Sequence, residues 1–130
     1  MFVYKRRSEV SSKKILVVDD DKVLLKMLTN SLTTAGYTVA QVATGKDAVS
    51  ISSEWRPDLI ILDIMMPGMD GMEAARLIKM NTVTQGIPII FLSSLISKNE
   101  EQTSAPKWGS SYMAKPYSHD ELLKEVRKYV

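Results

Sequence analysis

The feature of this sequence that most constrains its fold is an alternation, repeated five times, of short apolar runs with segments whose apolar residues recur at helical spacing. Residues 15–18 (ILVV) and 59–62 (LIIL) are apolar at every position, which is typical of strands buried on both faces. Strands of this kind separated by helices predict a parallel sheet with helices on both faces, and right-handed crossovers leave few topologies. The sequence therefore predicts a single α/β domain.

Weaker signals place the remaining elements. Ser118 followed by Glu121 has the spacing of a capping box, and Thr44 followed by Asp47 is a variant of it. Asp70 is the predicted N-cap of another helix. The predicted strands are 15–18, 37–42, 59–62, 87–92 and 112–114, and the predicted helices are 22–35, 44–55, 70–80 and 118–129, with a weakly supported one at 97–108.

Composition excludes several classes of function. The 130 residues include no cysteine, which rules out disulfides, thiolate catalysis and cysteine-ligated zinc or iron–sulfur sites. The longest apolar runs are far shorter than the ~20 residues of a membrane span, and the basic residues 5–7 are not followed by the apolar region of a secretory signal. By elimination, the sequence predicts a cytoplasmic protein without a membrane span.

The net charge of +2 conceals an uneven distribution. Residues 1–14 carry five basic side chains against Glu9, a net of +4, so residues 15–130 carry a net of −2. We therefore expect a basic, flexible leader at 1–14 and a mildly acidic domain at 15–130 that does not itself bind nucleic acid. Such a leader suits either a solvated tail, the simpler interpretation, or contact with nucleic acid or anionic lipid.

Polar side chains follow four of the five predicted strands. In an open parallel sheet, ligands bind outside the carboxyl ends of the strands, so these side chains are expected at one edge. Each of them alone is equally well explained by a turn or a helix cap, but their shared edge favours a site. They are Asp19, Asp20 and Asp21 after the first strand, Asp63 after the third, Ser93 and Ser94 after the fourth, and Lys115 and Pro116 after the fifth.

The chemistry of this edge favours a hard divalent cation. Two carboxylates ~5 Å apart repel each other by roughly 3 kcal/mol at an effective dielectric constant near 20, so Asp19, Asp20 and Asp63 together require a positive partner. Oxygen ligands without histidine or cysteine suit Mg²⁺ first and Mn²⁺ or Ca²⁺ next. With the ammonium of Lys115 and the hydroxyl of Ser93 added, the set fits phosphoryl transfer onto an aspartate.

An ordered set of motifs resembles the two-component response regulator receiver domain, the CheY-like family. The motifs are residues 15–21 (ILVVDDD), 62–71 (LDIMMPGMDG), Ser93 after an apolar strand, and 112–116 (YMAKP). The resemblance covers residues 15–130. It implies a flavodoxin-like, doubly wound (βα)5 fold, a five-stranded parallel sheet of order 2-1-3-4-5.

The resemblance also implies the roles of the acidic residues. Asp63 corresponds to the phosphoacceptor, which forms an aspartyl phosphate. Asp20 corresponds to a direct Mg²⁺ ligand, Asp19 to a ligand acting through water, and Met65 lends its backbone carbonyl to the metal.

The remaining site residues follow from the same resemblance. Lys115 corresponds to the lysine that binds the phosphoryl group, and its bond to Pro116 is expected to be cis. Ser93 takes the place of the switch hydroxyl, and Tyr112 that of the aromatic switch residue that turns inward after phosphorylation.

The partners implied are a histidine kinase or a phosphotransfer protein as phosphoryl donor, in a phosphorelay. An unknown output partner is expected to read the face made by the family's fourth and fifth helices and its fifth strand, and the resemblance leaves room for a homodimer. Met65 and Leu95 are apolar and flank the expected path of the attacking water, which predicts slow self-dephosphorylation.

Two departures from the family pattern are visible. Segment 98–108 is polar and contains Pro106, which removes a helical N–H and clashes with the preceding turn, so a short or irregular helix is predicted. Gly109 is followed by Ser110, where a small apolar residue is commoner.

Three other functions compete with this interpretation. A Mg²⁺-dependent phosphatase with an aspartate nucleophile needs a second acid two residues later, where this chain has Met65. A nucleotide-binding domain needs a glycine-rich phosphate loop, and the loop after the first strand is acidic. A receiver-like binding module that is never phosphorylated retains all the site residues and stays open.

Overall fold

The computed structural model describes residues 12–94 and 108–130. Its five strands form one parallel sheet in the order β2-β1-β3-β4-β5. This order confirms the predicted flavodoxin-like topology. The described elements are β1 (Lys14–Val18), α1 (Lys22–Thr34), β2 (Thr38–Val42), α2 (Gly45–Trp55), β3 (Leu59–Asp63), α3 (Gly71–Met80), β4 (Ile89–Ser93), β5 (Ser111–Ala114) and α4 (His119–Val126).

The three central strands carry the core. Residues 15–18, 59–62 and 89–92 are buried at every position, because successive side chains point to opposite faces and both faces are covered. One face packs against α1 and α4, and the other packs against α2 and α3. The two-sided apolar pattern of the sequence is therefore explained by two helical layers.

Side-chain caps fix where the helices begin, and hence where each strand-to-helix loop ends. Ser118 and Glu121 form the predicted capping box at α4. Thr44 accepts the backbone N–H of Asp47 at α2, and Asp70 caps α3. Each cap satisfies a backbone N–H that has no partner within its helix.

Some strands start later than the sequence predicts. The predicted strand 87–92 begins at Ile89, because Pro88 has no N–H for the ladder and the N–H of Ile87 closes a turn onto Thr84 at 3.0 Å. The predicted strand 37–42 begins at Thr38, since the N–H of Tyr37 is bonded to the last turn of α1.

The ends of the chain and one internal segment complete the comparison with the sequence. Strand β1 includes Lys14, and helix α4 ends at Val126, short of the predicted 129. The predicted irregular helix at 98–108 lies outside the described residues except for Trp108, and so do residues 1–11 of the leader.

Candidate functional site

Three carboxylates meet at the carboxyl edge of the sheet. Asp19 follows β1, Asp63 is the last residue of β3, and the two strands are neighbours in the sheet. Oxygen atoms of Asp19, Asp20 and Asp63 all lie within 4.8 Å of one another. Asp19 and Asp63 are 1% and 5% exposed, whereas Asp20 is exposed. The cluster thus has two buried acids and one facing solvent.

Backbone hydrogen bonds hold the first acidic loop in place. The N–H of Asp19 donates to Val42 of β2 at 3.3 Å, and Asp19 Oδ1 accepts the N–H of Asp21 at 3.0 Å. Asp21 itself turns away to cap α1, accepting the N–H groups of Val23 and Leu24. Of the three consecutive aspartates, the first two therefore serve the cluster and the third serves the helix.

Lys115 brings the positive charge. Its Nζ lies 3.2 Å from Asp19 Oδ2 and 3.2 Å from Asp63 Oδ1. Pairing of β4 with β5 places it there, since its backbone N–H donates to the Ser93 carbonyl at 2.8 Å. The peptide bond between Lys115 and Pro116 is cis. The ammonium is thus shared between the two buried acids.

The carboxylates of this cluster are not fully balanced by positive charge. Burial raises the pKa of Asp63, the charges of Asp19 and Asp20 raise it further, and Lys115 offsets only part of this, so the net shift is upward. Burial would lower the pKa of Lys115, but Asp19 and Asp63 outweigh it and raise the pKa overall. One ammonium therefore faces three carboxylates, and a divalent cation would relieve their repulsion.

The donor set fits Mg²⁺. Its side-chain ligands are carboxylate oxygens of Asp19, Asp20 and Asp63, close enough together for one ion, with a solvent-facing side where bound waters fit. The loop after β3 carries Met65, whose side chain is 58% exposed. Among the described residues the geometry therefore agrees with the predicted cation site.

The loop from Asp63 to Gly71 is anchored on both sides of Met65. The N–H of Ile64 donates to the Leu92 carbonyl at 3.1 Å, and the N–H of Gly71 donates to the Ile64 carbonyl at 2.8 Å. Met66 is buried in the core on the α2–α3 face of the sheet. The backbone that carries the predicted carbonyl ligand is therefore held by hydrogen bonds and by core packing.

The predicted switch residues lie on neighbouring strands. Ser93 ends β4 and is 1% exposed. Tyr112 on β5 is half-buried, and its ring centroid lies 5.8 Å from that of Phe91. Leu95, the second residue predicted to flank the water path, lies outside the described residues.

One neighbour of the cluster was not singled out by sequence reasoning. Tyr117 follows the Lys115–Pro116 pair, and burial, with the charges of Asp19 and Asp63, raises the pKa of its phenol to about 12. Its position directly after the lysine–proline motif was the available signal. Tyr117 also lines a cavity of about 450 Å³ that borders Lys115. The other lining residues are Leu24, Met27, Leu28, Ser31, Ser94, Pro116 and His119.

In the two stretches that the structure describes, none of the helices is both long and apolar enough to span a lipid bilayer.

Comparison with known proteins gives a consistent picture. Residues 15–127 match the family model of the response regulator receiver domain. Response regulator MprA of Mycolicibacterium vanbaalenii is 34% identical over 114 residues, covering 88% of this chain and 48% of that protein. DNA-binding response regulator MtrA of Mycolicibacterium smegmatis is 35% identical over 115 residues, covering 88% of this chain and 49% of that protein. The chain spans about half the length of these curated relatives.

Solved structures agree at the level of the whole domain. The chemotaxis response regulator CheY4 of Vibrio cholerae superposes with a TM-score of 0.83 at 29% identity, covering 92% of this chain and all of that one. The receiver domain of a sensor histidine kinase from Pseudomonas aeruginosa gives a TM-score of 0.81 at 29% identity, covering 92% of this chain and 98% of that one. That second structure has a magnesium ion coordinated in its active-site cleft.

Proposed function

This chain belongs to the response regulator receiver family of two-component systems, and we propose that it accepts a phosphoryl group on Asp63 from a histidine kinase or a phosphotransfer protein. The observation that carries the proposal is the meeting of Asp19, Asp20, Asp63 and Lys115 at one edge of the sheet. The likeness to response regulators supports a kinase or phosphotransfer partner.

The proposed transfer uses groups that already lie together. A carboxylate oxygen of Asp63 attacks the phosphorus of a donor phosphohistidine, an O–P bond forms, and the P–N bond breaks. The imidazole leaves with the electron pair and takes up a proton. Lys115 Nζ, 3.2 Å from Asp63 Oδ1, is within reach of a phosphoryl oxygen and offsets its charge.

Asp19, Asp20, Asp63 and the backbone carbonyl of Met65 would hold Mg²⁺. When bound there, the ion supplies positive charge that reduces the repulsion among the carboxylates and between them and the phosphoryl oxygens. The carboxylates of Asp19 and Asp63 are pre-positioned by neighbouring strands, so little reorganisation accompanies binding. Mn²⁺ or Ca²⁺ would substitute with different affinity.

The proposed output follows from the new negative charge on Asp63. The hydroxyl of Ser93 is drawn toward the phosphoryl group, and Tyr112 turns inward from its half-buried position. The face that includes β5 and α4 then presents a changed surface to an output partner. In this proposal the apolar side chains of Met65 and Leu95 orient no water, and self-dephosphorylation is slow.

The surface beside the cluster suits a phosphodonor. Val23 and Met27 on α1, one helical turn apart, are 68% and 60% exposed and so offer a small apolar surface to a partner. Met27 also lines the cavity next to Lys115. A donor that presents its phosphohistidine to Asp63 must approach over this edge, so we assign this patch to the donor.

The test is Mg²⁺-dependent labelling with acetyl phosphate, followed by mass spectrometry. Wild-type protein should gain one phosphoryl group on Asp63, and Asp63→Asn should gain none, because the amide is not a nucleophile of this kind. The matched control is Asp58→Asn, at the opposite edge of the sheet, where Asp58 accepts the backbone N–H of Lys14. It should label like the wild type.

Two results would contradict the proposal. Labelling that persists in Asp63→Asn would move the acceptor to another residue. If the wild type takes up neither phosphate nor beryllofluoride in the presence of Mg²⁺, the chain is instead a receiver-like binding module that is not phosphorylated.

A further inference from the structure

Helix α2 begins in unusually close contact with the loop after β3. Gly45, the first residue of α2, is buried, and a methyl group placed on its Cα would lie 2.6 Å from the carbonyl oxygen of Met69. It would also lie 3.1 Å from the Cγ of Met69. Side-chain carbons do not approach a carbonyl oxygen this closely, so a residue larger than glycine would displace the Met69 backbone.

The loop has little freedom to absorb such a displacement. Its near side is fixed by the Ile64 N–H bonded to β4, and its far side by the Gly71 N–H bonded back to Ile64. At Gly71 a methyl group would collide with the carbonyl oxygen of Asp63. The loop that carries Met65 is therefore packed against the phosphoacceptor at one end and against α2 at the other.

We propose that Gly45 is a positioning residue for the divalent cation at the acidic cluster: by letting α2 pack directly on the Met69 carbonyl, it fixes the loop whose Met65 carbonyl completes the ligand set. This inference rests on the proposed function, since it concerns the same cation. Gly45 itself contributes no ligand and acts only through the loop backbone.

The proposal makes a distinction between cations. Mg²⁺ requires near-ideal octahedral geometry with ligands at about 2.0–2.1 Å, whereas Ca²⁺ accepts irregular coordination at about 2.3–2.6 Å. A small shift of one ligand should therefore weaken Mg²⁺ binding more than Ca²⁺ binding. A purely structural contact, whose loss only loosens the fold, would not separate the two ions.

The experiment is calorimetric titration of the unphosphorylated chain with Mg²⁺ and with Ca²⁺. Gly45→Ala should weaken Mg²⁺ binding about tenfold, the usual effect of disturbing a ligand's support, and Ca²⁺ binding by no more than about twofold because its coordination is tolerant. Gly86→Ala is the control without contact, since nothing lies within 4 Å of a methyl group there.

Gly109→Ala is the second control. A methyl group on Gly109 would lie 2.5 Å from Phe91 Cε2, an equally severe clash that does not involve the loop after β3. It should lower the thermal stability of the domain without changing the ratio of Mg²⁺ to Ca²⁺ affinity. If Gly45→Ala does not fold, Met69→Gly tests the same contact by freeing the backbone whose carbonyl meets Gly45, and it should weaken Mg²⁺ binding more than Ca²⁺ binding.

The outcomes are separable. Wild-type protein that binds no Mg²⁺ would overturn the cation assignment of the proposed function and the inference with it. Wild-type binding with unchanged affinity in Gly45→Ala and Met69→Gly would overturn the inference alone. Equal losses for Mg²⁺ and Ca²⁺, or the same selective loss in Gly109→Ala, would also overturn it.

Discussion

The lysines at the two edges of the parallel sheet have different kinds of partner. At the amino edge, Lys14 Nζ donates to the Trp55 carbonyl at 2.5 Å and lies 5.1 Å from the centre of the Trp55 ring, while the backbone N–H of Lys14 donates to Asp58. At the carboxyl edge, Lys115 is shared by two buried carboxylates and a third lies beside them. Lys14 therefore joins neighbouring elements of the fold, whereas Lys115 alone does not balance the three carboxylates around it.

This difference shows which charged residues are structural and which are available for chemistry. Lys14 has a carbonyl and an aromatic face as neighbours, so its contacts join β1 to α2. Around Lys115 the environment disfavours ionised acids. Burial raises the pKa of Asp63 most, and the negative charges of Asp19 and Asp20 raise it further. A cluster in which three carboxylates face one ammonium is the one suited to bind a further cation.

Replacement of the two lysines gives the largest expected contrast. Lys115→Ala should slow Mg²⁺-dependent labelling of Asp63 by acetyl phosphate about 100-fold, because one positive group on the transferring phosphoryl oxygens is lost. Lys14→Ala should leave the labelling rate unchanged but lower the free energy of unfolding by about 1–2 kcal/mol through the lost hydrogen bond and ring contact. The rate is read by mass spectrometry and the stability by urea denaturation.

The contrast is contradicted if Lys115→Ala and Lys14→Ala both lower the labelling rate and both lower the free energy of unfolding to a similar extent. In that case the carboxyl edge would be no more specialised than the amino edge, and the loss at Lys115 would reflect unfolding rather than chemistry.

A second contrast uses two exposed methionines. Met27 lies on α1 and lines the cavity that Lys115 also borders, whereas Met80 ends α3 after the helix has returned to the amino edge. The two residues are 60% and 65% exposed. Met27→Glu should slow transfer from a phosphorylated kinase or phosphotransfer protein about tenfold, since a charge replaces an apolar contact. Transfer from acetyl phosphate, which needs no protein surface, should change little.

The control for this contrast is Met80→Glu. It should leave transfer from both donors unchanged, because Met80 is at the opposite edge from Asp63. A loss in Met80→Glu equal to that in Met27→Glu, or a loss with acetyl phosphate as donor, would contradict the assignment of the α1 patch to the phosphodonor.

The sequence predicted the sheet well because its signals are local. Residues 15–18 and 59–62 are apolar at every position, and the capping box at Ser118 is encoded by two side chains three residues apart. The acids at the strand ends followed from topology, since parallel strands bring their carboxyl ends together. What the chain encodes within a few residues was therefore visible before the structure.

Contacts between distant segments were not visible in this way. The Gly45–Met69 contact joins the start of α2 to the loop after β3, and neither residue type signals it. Lys14 was assigned to the leader because its charge resembles that of the preceding basic residues, yet its partners Trp55 and Asp58 place it in β1. Such contacts depend on how α2 packs on the sheet, which periodicity does not determine.

Asp63 should also lower the free energy of unfolding, by an amount that depends on pH. The pKa of Asp63 is raised above its ordinary value of 3.8 in the folded chain. Well below pH 3.8 the carboxyl is neutral in the folded and in the unfolded chain, so it does not affect stability. At higher pH it is ionised in the unfolded chain, and its ionisation in the folded chain costs free energy of folding. Asp63→Asn should therefore stabilise the domain at neutral pH, by about 1–2 kcal/mol, the order of one partly offset repulsion between carboxylates.

This gain should shrink as the pH falls toward 3.8 and below, where the wild-type carboxyl is protonated as well. Paired thermal unfolding of the two proteins across this range measures the difference. Asp63→Asn that is less stable than the wild type at neutral pH in the absence of divalent cations would contradict the charge deficit. Added Mg²⁺ should narrow the difference by stabilising the wild type more.

The smallest effect is expected at the amino edge, where the strain is in the backbone. Arg56, which follows α2, has φ of 52° in the left-handed region, although its N–H still caps the helix by donating to Ser52 at 3.0 Å. That conformation is costly for a residue with a side chain and open to glycine, so Arg56→Gly should stabilise the domain by about 0.5 kcal/mol after the greater flexibility of unfolded glycine is deducted. Urea denaturation measures the gain, and Gly36→Ala, at a φ of 102°, should change stability in the opposite direction by about 1 kcal/mol. Because both positions are far from the acids, neither variant should alter phosphoryl uptake, and a change in labelling by either would show that the two edges of the sheet are coupled.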